Sequence, residues 1–236
     1  MENNNILKMP EELETGNASE TPGKFILATN NENKLREMRD ILSENNIKIE
    51  IISPEEAGIK IEVEETGTSF MENALLKAKA FCEASGLPAI GDDSGLCVDA
   101  LNGAPGIYSA RYGGPDLTDA ARCQLVLQAM RGATSRAAHF TCSIAAAFPN
   151  GNILTAERRC DGAIAFAALG TGGFGYDAIF LIPEKGKTFG QLSPEEKNAI
   201  SHRGKALAAF AKALENYLTP KENQDNNQEN QDNNLK

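Results

Sequence analysis

The feature that most constrains the fold is an alternation that begins and then stops. KFILAT reads as a short buried strand, and NKLREMRDILSE follows it with Leu35, Met38 and Leu42 on one helical face. IKIEIIS reads as a second strand. TSFMENALLKAKAFCEASG predicts a long helix: Ser69 and Glu72 have capping-box spacing, Met71, Ala74, Leu75, Ala78, Phe81 and Cys82 make one stripe, and Gly86 ends it. LPAIGD and GLCVDAL then read as two short strands and LTDAARCQLVLQAMRG as a helix. Beyond that point no helical period separates AHFTCSIAAAFP from NILTAERRCDGAIA. The pair predicts a hairpin turning at Pro149, Asn150 and Gly151, with YDAIFLIP as a further strand. Strand–helix alternation favours parallel pairing and a hairpin demands antiparallel pairing. The expectation is therefore a single α/β domain with a mixed sheet.

The chain has 236 residues, 41% of them hydrophobic, enough to bury a core. Its ends are built differently from its middle. Residues 1–23 are polar and acidic, and 219–236, rich in Asn, Gln and Glu, hold no large apolar residue between Leu218 and Leu235. Neither end can bury enough to offset its ordering entropy, so both are expected to be flexible, with the folded domain at 24–218. A formal charge of −10 argues against a nucleic-acid partner, which needs a broad basic surface. No apolar run approaches the length that spans a membrane, and the N-terminus lacks the pattern of a signal peptide. Five scattered cysteines with no C-x-x-C point to free thiols in a reducing, cytoplasmic setting.

Five segments hold residues able to do chemistry. ATNNENK, at 28–34, joins a strand to a helix, and a helix start after a strand suits an anion. Thr29, Asn30, Asn31 and Asn33 offer side-chain donors and Lys34 a charge, while Glu32 lies among them. Glu64 and Glu65 precede the capped helix. In AIGDDSGLCVDA an apolar run ends in Asp92 and Asp93, which need a cation if they are buried. Neighbours in an extended strand point to opposite faces, so at most one aspartate reaches a given site unless the chain bends at Gly91 or Gly95. LGTGGFGYDAIF satisfies G-x-G-x-x-G, but a dinucleotide loop must open a helix, and this one leads into a strand. It reads instead as a tight loop presenting Phe174 and Asp177, the aromatic able to stack on a base. Each segment alone also reads as an ordinary polar loop.

The fifth segment, SPEEKNAISHRGKALAAFAKALENYL, starts a helix well, with Ser193 as N-cap, Pro194 at the first position and Glu196 at the third. Ile200, Leu207, Ala211, Leu214 and Leu218 make an apolar stripe. Lys197 and His202 would lie about 140° apart on one straight helix. If both serve one ligand, the helix must break near 199–201, with Ser201 as a second N-cap.

Together, LATNNENK, EETGTSFMENALLKA, GDDSGLCVDALNGAPGIYSARYGG, GTGGFGYDAIF and EEKNAISHRGKAL occur in the order of one family. The chain is similar to the inosine/xanthosine triphosphate pyrophosphatases across nearly all of 24–218. That resemblance implies an elongated α/β domain with a long mixed sheet and a nucleotide-binding cleft. It implies Mg²⁺-dependent hydrolysis of nonstandard purine nucleoside triphosphates, ITP, dITP and XTP, to monophosphate and pyrophosphate, commonly by a homodimer. Carried over by position, Thr29, Asn30, Asn31, Glu32, Asn33 and Lys34 would bind phosphates. Glu64 and Asp93 would hold the metal, and Asp93 would be the general base. Ser94, Phe174, Gly175, Tyr176, Asp177, Lys197, His202 and Arg203 would bind the nucleotide, Lys197 at the phosphates and His202 with Arg203 at the base. A related pyrophosphatase for modified pyrimidine nucleotides and a non-catalytic nucleotide sensor are the alternative readings.

Overall fold

The computed structural model describes residues 23–45 and 47–219. The two terminal segments expected to be flexible lie almost wholly outside this range. Seven strands form one mixed sheet in the order β2-β1-β3-β4-β5-β6-β7. β1 (Gly23–Leu27) pairs in parallel with β2 (Ile49–Ile52) and with β3 (Ala89–Val98). From β3 onward every pairing is antiparallel, through β4 (Ala137–Ala147), β5 (Ile153–Ile164), β6 (Phe180–Ile182) and β7 (Lys187–Thr188). The β4–β5 hairpin turns at 149–151, where Phe148 and Asn152 close the last backbone bond at 3.0 Å. The place where helical periodicity lapses in the sequence is thus the place where parallel pairing ends.

Helices cover both faces. α1 (Glu32–Glu44) and α5 (His202–Leu218) pack on one face in a core that includes Leu27, Ile90, Cys142, Ile144, Leu207 and Phe210. α2 (Phe70–Ser85) packs on the other, against Ile26, Ala89, Ala145 and Ala147. A third cluster, at the far end of the sheet, gathers Leu96, Phe140, Phe180 and Phe189 around α3 (Asp119–Ala129). Burying side chains of this size contributes roughly 1.5–3 kcal/mol each.

The approach of α2 is very close. A Cβ at Gly91 would overlap the carbonyl of Ala74, so the helix backbone lies directly on β3. This brings Asn73 and Lys77, one turn apart on α2, over the next inward residue of the strand, Asp93. The cap of α2 differs from the expected box: Ser69 accepts from the Glu72 N–H at 3.2 Å, but the Glu72 carboxylate turns to the N–H of Thr68 at 2.6 Å.

Three expectations are corrected. The segments read as two short strands around Asp92 and Asp93 form one continuous strand, because β4 pairs with it in unbroken register from Ala89 to Val98. YDAIFLIP begins as a 3₁₀ turn, Asp177–Ile179, before the strand starts at Phe180. Leu218 is 50% exposed, and Ile200 packs in the far cluster ahead of α5, so neither belongs to that helix's buried stripe. The C-terminal segment does break in two. α4 (Pro194–Asn198) starts with the Ser193 capping box, and α5 starts at the second cap, Ser201, whose hydroxyl accepts from the Gly204 N–H at 3.0 Å.

Candidate functional site

A cleft of about 510 Å³ opens where the turn after β1, the middle of β3, α2, the 172–177 loop and the start of α5 meet. Strand alternation divides the two aspartates at its floor. Asp92 points toward α5 and Asp93 toward α2. Asp92 is 1% exposed, and its carboxylate accepts from Arg203 Nε at 3.1 Å and from Lys34 Nζ. Burial pushes its carboxyl pKa up, but Arg203 and Lys34 outweigh that and hold it well below the usual carboxylate range. Cys142 on β4 donates its thiol to the same carboxylate at 3.4 Å.

Asp93 faces the cleft in a different environment. Asn73 Nδ2 donates to Oδ2 at 3.1 Å, and Lys77 Nζ stands 3.6 Å from Oδ1. Burial pushes this carboxyl above its ordinary value, against the lowering effect of Lys77 and Lys34. Lys77 also donates to Glu65 at 2.8 Å and to the Asp92 carbonyl at 2.8 Å, the carbonyl that Lys34 reaches at 3.3 Å. Two ammonium groups and two carboxylates therefore meet around one strand residue. Burial raises the Glu65 pKa, but Lys77 and Arg111, the latter 2.7 Å away, bring it below the ordinary value.

The turn after β1 is organised by its own side chains. Asn31 caps α1, its oxygen accepting from the N–H groups of Asn33 at 3.0 Å and Lys34 at 3.2 Å, and Thr29 Oγ1 accepts from the Asn31 N–H at 3.2 Å. Thr29, Asn30, Asn31, Asn33 and Lys34 line the cleft, whereas Glu32 is exposed and lies outside its lining.

The opposite end is cationic and aromatic. The Phe174 ring has Lys197 Nζ 4.8 Å and the Arg203 guanidinium 5.4 Å from its centroid. Lys197 pairs with Asp177 at 2.9 Å and Glu37 at 3.0 Å, and Arg203 pairs with the same Glu37 at 2.6 Å. Asp177 is held above its ordinary pKa by burial, which outweighs Lys197. His202 lies flat on Phe140, ring centroids 4.5 Å apart, with Nδ1 buried and without a hydrogen-bond partner among the described residues. Burial, then the charges of Arg203 and Lys197, push its imidazole pKa well below the ordinary value. Tyr176 is buried and donates its hydroxyl to the Ser109 carbonyl at 2.8 Å.

The break before α5 thus unites Lys197 and Arg203 on one carboxylate. This differs from the expectation that they part toward opposite ends of a ligand. Of the residues expected at the site, Glu64 also stands apart: it is exposed and outside the cleft lining, while Glu65 faces in. Lys77 and Arg111 hold Glu65 inward, and its neighbour points away. Asp93, Ser94, the 174–177 loop, Lys197, His202 and Arg203 all line the cleft. Reasoning from sequence missed Asn73, Lys77 and Glu37. Asn73 and Lys77 had a usable signal, an i, i+4 polar pair beside the Ala74–Ala78 face of α2. Glu37 had none, because its partners lie 160 and 166 residues away.

Among the described residues no three His, Cys, Asp or Glu side chains converge as a metal cluster; Asp93 and Glu65 line the cleft on either side of Lys77, and Glu64 is the exposed neighbour of Glu65. That donor set suits Mg²⁺, a hard cation commonly held by one or two carboxylates together with substrate phosphates.

The Ham1 family model matches residues 25–213. A dITP/XTP pyrophosphatase of Desulfotalea psychrophila is 52% identical over 184 residues, 78% of this chain and 82% of that one. A second, from Nostoc sp., is 50% identical over 186 residues, 78% of this chain and 91% of the relative. The solved structure of a HAM1 protein from Coxiella burnetii superposes with a TM-score of 0.76 at 42% identity, covering 82% of this chain and 99% of that one.

Proposed function

The chain belongs to the Ham1 family, and on that premise we propose that it hydrolyses nonstandard purine nucleoside triphosphates, ITP, dITP and XTP, to the monophosphate and pyrophosphate. The observation that carries the proposal is the inward carboxylate of Asp93, raised in pKa, beside two lysines in a cleft whose far end is aromatic and cationic. A base works best with a pKa near the operating pH, and burial moves Asp93 in that direction.

Releasing pyrophosphate breaks the bridge between the α and β phosphates. Water supplies the oxygen that bonds to phosphorus, and Asp93 accepts its proton while pyrophosphate departs with the bridging oxygen. Asn73 fixes the orientation of the Asp93 carboxylate. Lys34 and Lys77 offset charge on the phosphate oxygens. Thr29, Asn30, Asn31 and Asn33 frame that end, and Glu32 lies among them in the turn, outside the lining. Asp93 and a glutamate of the 64–65 pair would hold Mg²⁺: Glu64 is the one the family resemblance implies, and Glu65 is the one that lines the cleft. When bound, the ion would stabilise negative charge building on the phosphates.

At the other end Phe174 would stack on the purine, with Tyr176 and Asp177 shaping the loop beneath it. Hypoxanthine and xanthine carry a keto acceptor at the six position, where adenine carries an amino donor. Arg203 has five N–H donors, and three already serve Asp92, Glu37 and Ser94, leaving two for an acceptor. A site with buried donors rejects a facing donor strongly. The family resemblance extends the proposal to a homodimer, and five free cysteines fit a reducing, cytoplasmic setting.

The test is Asp93→Asn. Turnover of ITP with Mg²⁺ should fall at least ~100-fold, the usual scale for losing a general base. Near-normal turnover in the purified variant would remove Asp93 from the chemistry.

A further inference from the structure

Phe174 sits in a stretch with little side chain of its own to hold it. Gly172, Gly173 and Gly175 surround it, and glycine loses more conformational freedom on ordering than any other residue. Yet the loop is clamped. The Phe174 N–H donates to Asp177 Oδ2 at 2.9 Å, from within the loop. At its start the Gly172 N–H donates to the Gly190 carbonyl at 2.9 Å, and two further clamps, on Gly175, come from α3. The Gly175 N–H donates to Asp119 Oδ2 at 2.7 Å, and the Cys123 thiol lies 3.3 Å from the Gly175 carbonyl. Asp119 and Cys123 are four residues apart and share one face of the helix.

Asp119 lines the cleft with its side chain half exposed, and its carboxylate is held from its own helix. It is the first residue of α3, where the helix N-terminus favours negative charge. Its second oxygen lies 3.4 Å from Arg122, whose guanidinium also reaches the Pro115 carbonyl at 3.0 Å. The chain from 115 to 122 thus forms a brace ending on one backbone N–H of the loop. That N–H is occupied, so Gly175 would meet a substrate through its Cα surface and not by donating to it.

We propose that α3 pre-organises the Phe174 platform and that Asp119 is a positioning residue for the base of the nucleotide. This rests on the reading that Phe174 stacks on a purine. The brace orders the glycine loop before substrate arrives, so binding energy need not be spent on it. The effect should fall on affinity for the base and spare the phosphate end, which is built from the turn after β1, the start of α1, α2 and β3.

The experiment compares Asp119→Ala and Asp119→Asn with wild type in three measurements. Asp119→Ala should raise KM for ITP about ten-fold with kcat changed less than about three-fold, the scale of losing one charged hydrogen bond. Inhibition by inorganic tripolyphosphate, which has no base, should be unaltered. Asn keeps an acceptor oxygen at the same place, so Asp119→Asn should restore most of the lost KM. Amide exchange across 172–176 should speed up in Asp119→Ala alone. An unchanged KM, a weakening shared by tripolyphosphate, or an Asn variant as impaired as Ala would each overturn the proposal. Wild-type protein inert toward ITP would defeat the functional reading, and unchanged amide exchange would then still refute the brace by itself.

Discussion

Asp92 and Asp93 are neighbours in the chain, and the two-residue period of the strand sends one into a salt-bridged core and the other into the cleft. Their energetics therefore run in opposite directions. The folded pKa of Asp92 is depressed, so its stabilisation is complete above the unfolded value and is lost as pH falls below about 4. Asp92→Asn should cost roughly 3–5 kcal/mol in urea unfolding at neutral pH, because Arg203 and Lys34 keep their charges and lose their partner. It should also flatten the acid limb of the stability profile, and a loss under about 1 kcal/mol would mean that the pairs are screened as surface pairs are. Asp93 is raised, so its ionisation opposes folding above the unfolded pKa. Asp93→Asn should therefore leave the melting temperature unchanged or higher while removing turnover. The sequence shows two adjacent carboxylates at the end of an apolar run, and strand alternation is enough to say that they diverge. It does not say which is catalytic and which structural. That depends on Arg203, 111 residues beyond Asp92, and on Lys77, 16 residues before Asp93, each supplied by a helix.

Among the elements, the junction of α4 and α5 sets the base end of the cleft. It was legible because the cue is local: Ser193 and Ser201 each cap a helix, and a cap needs only its next three residues. Its consequence was not legible, since the meeting of Lys197 and Arg203 on Glu37 depends on how α1 docks against both. The junction also relies on close packing. A Cβ at Gly204 would overlap the Asn198 carbonyl at the end of α4. Gly204→Ala should cost about 1–3 kcal/mol or more, as overpacking does, read as a lower melting temperature. KM for ITP should rise with it, because the α4 end that carries Lys197 must shift. A variant as stable as wild type would show that the junction has slack. The continuity of β3 escaped the sequence reading for a related reason. Gly91 and Gly95 look like bends, but Gly91 serves close helix approach, and ten consecutive partners on β4 keep the strand straight.

At the scale of the whole molecule, an acidic chain of formal charge −10 is proposed to bind a polyanion. The cleft eases the conflict locally: it gathers Lys34, Lys77, Lys197 and Arg203 in one place, each held by a carboxylate from which a phosphate would have to draw it. The mixed sheet was legible from the lapse of helical period, whereas the cleft arises only where five distant segments meet. The three core clusters draw their buried residues from between Phe25 and Leu214. Removing residues 1–21 and 220–236, whose composition offers no core to lose, should leave both melting temperature and activity unchanged. A clear loss in either would show that a terminal segment docks on the domain. The central claim is that this cleft hydrolyses nonstandard purine triphosphates between the α and β phosphates. Its most direct measurement is pyrophosphate release from ITP, XTP, GTP, ATP and dTTP with Mg²⁺, each as kcat/KM. The account predicts pyrophosphate as the released product, with ITP and XTP ahead of ATP and dTTP by ~10² or more. Release of orthophosphate, or equal rates on ATP and ITP, would contradict it.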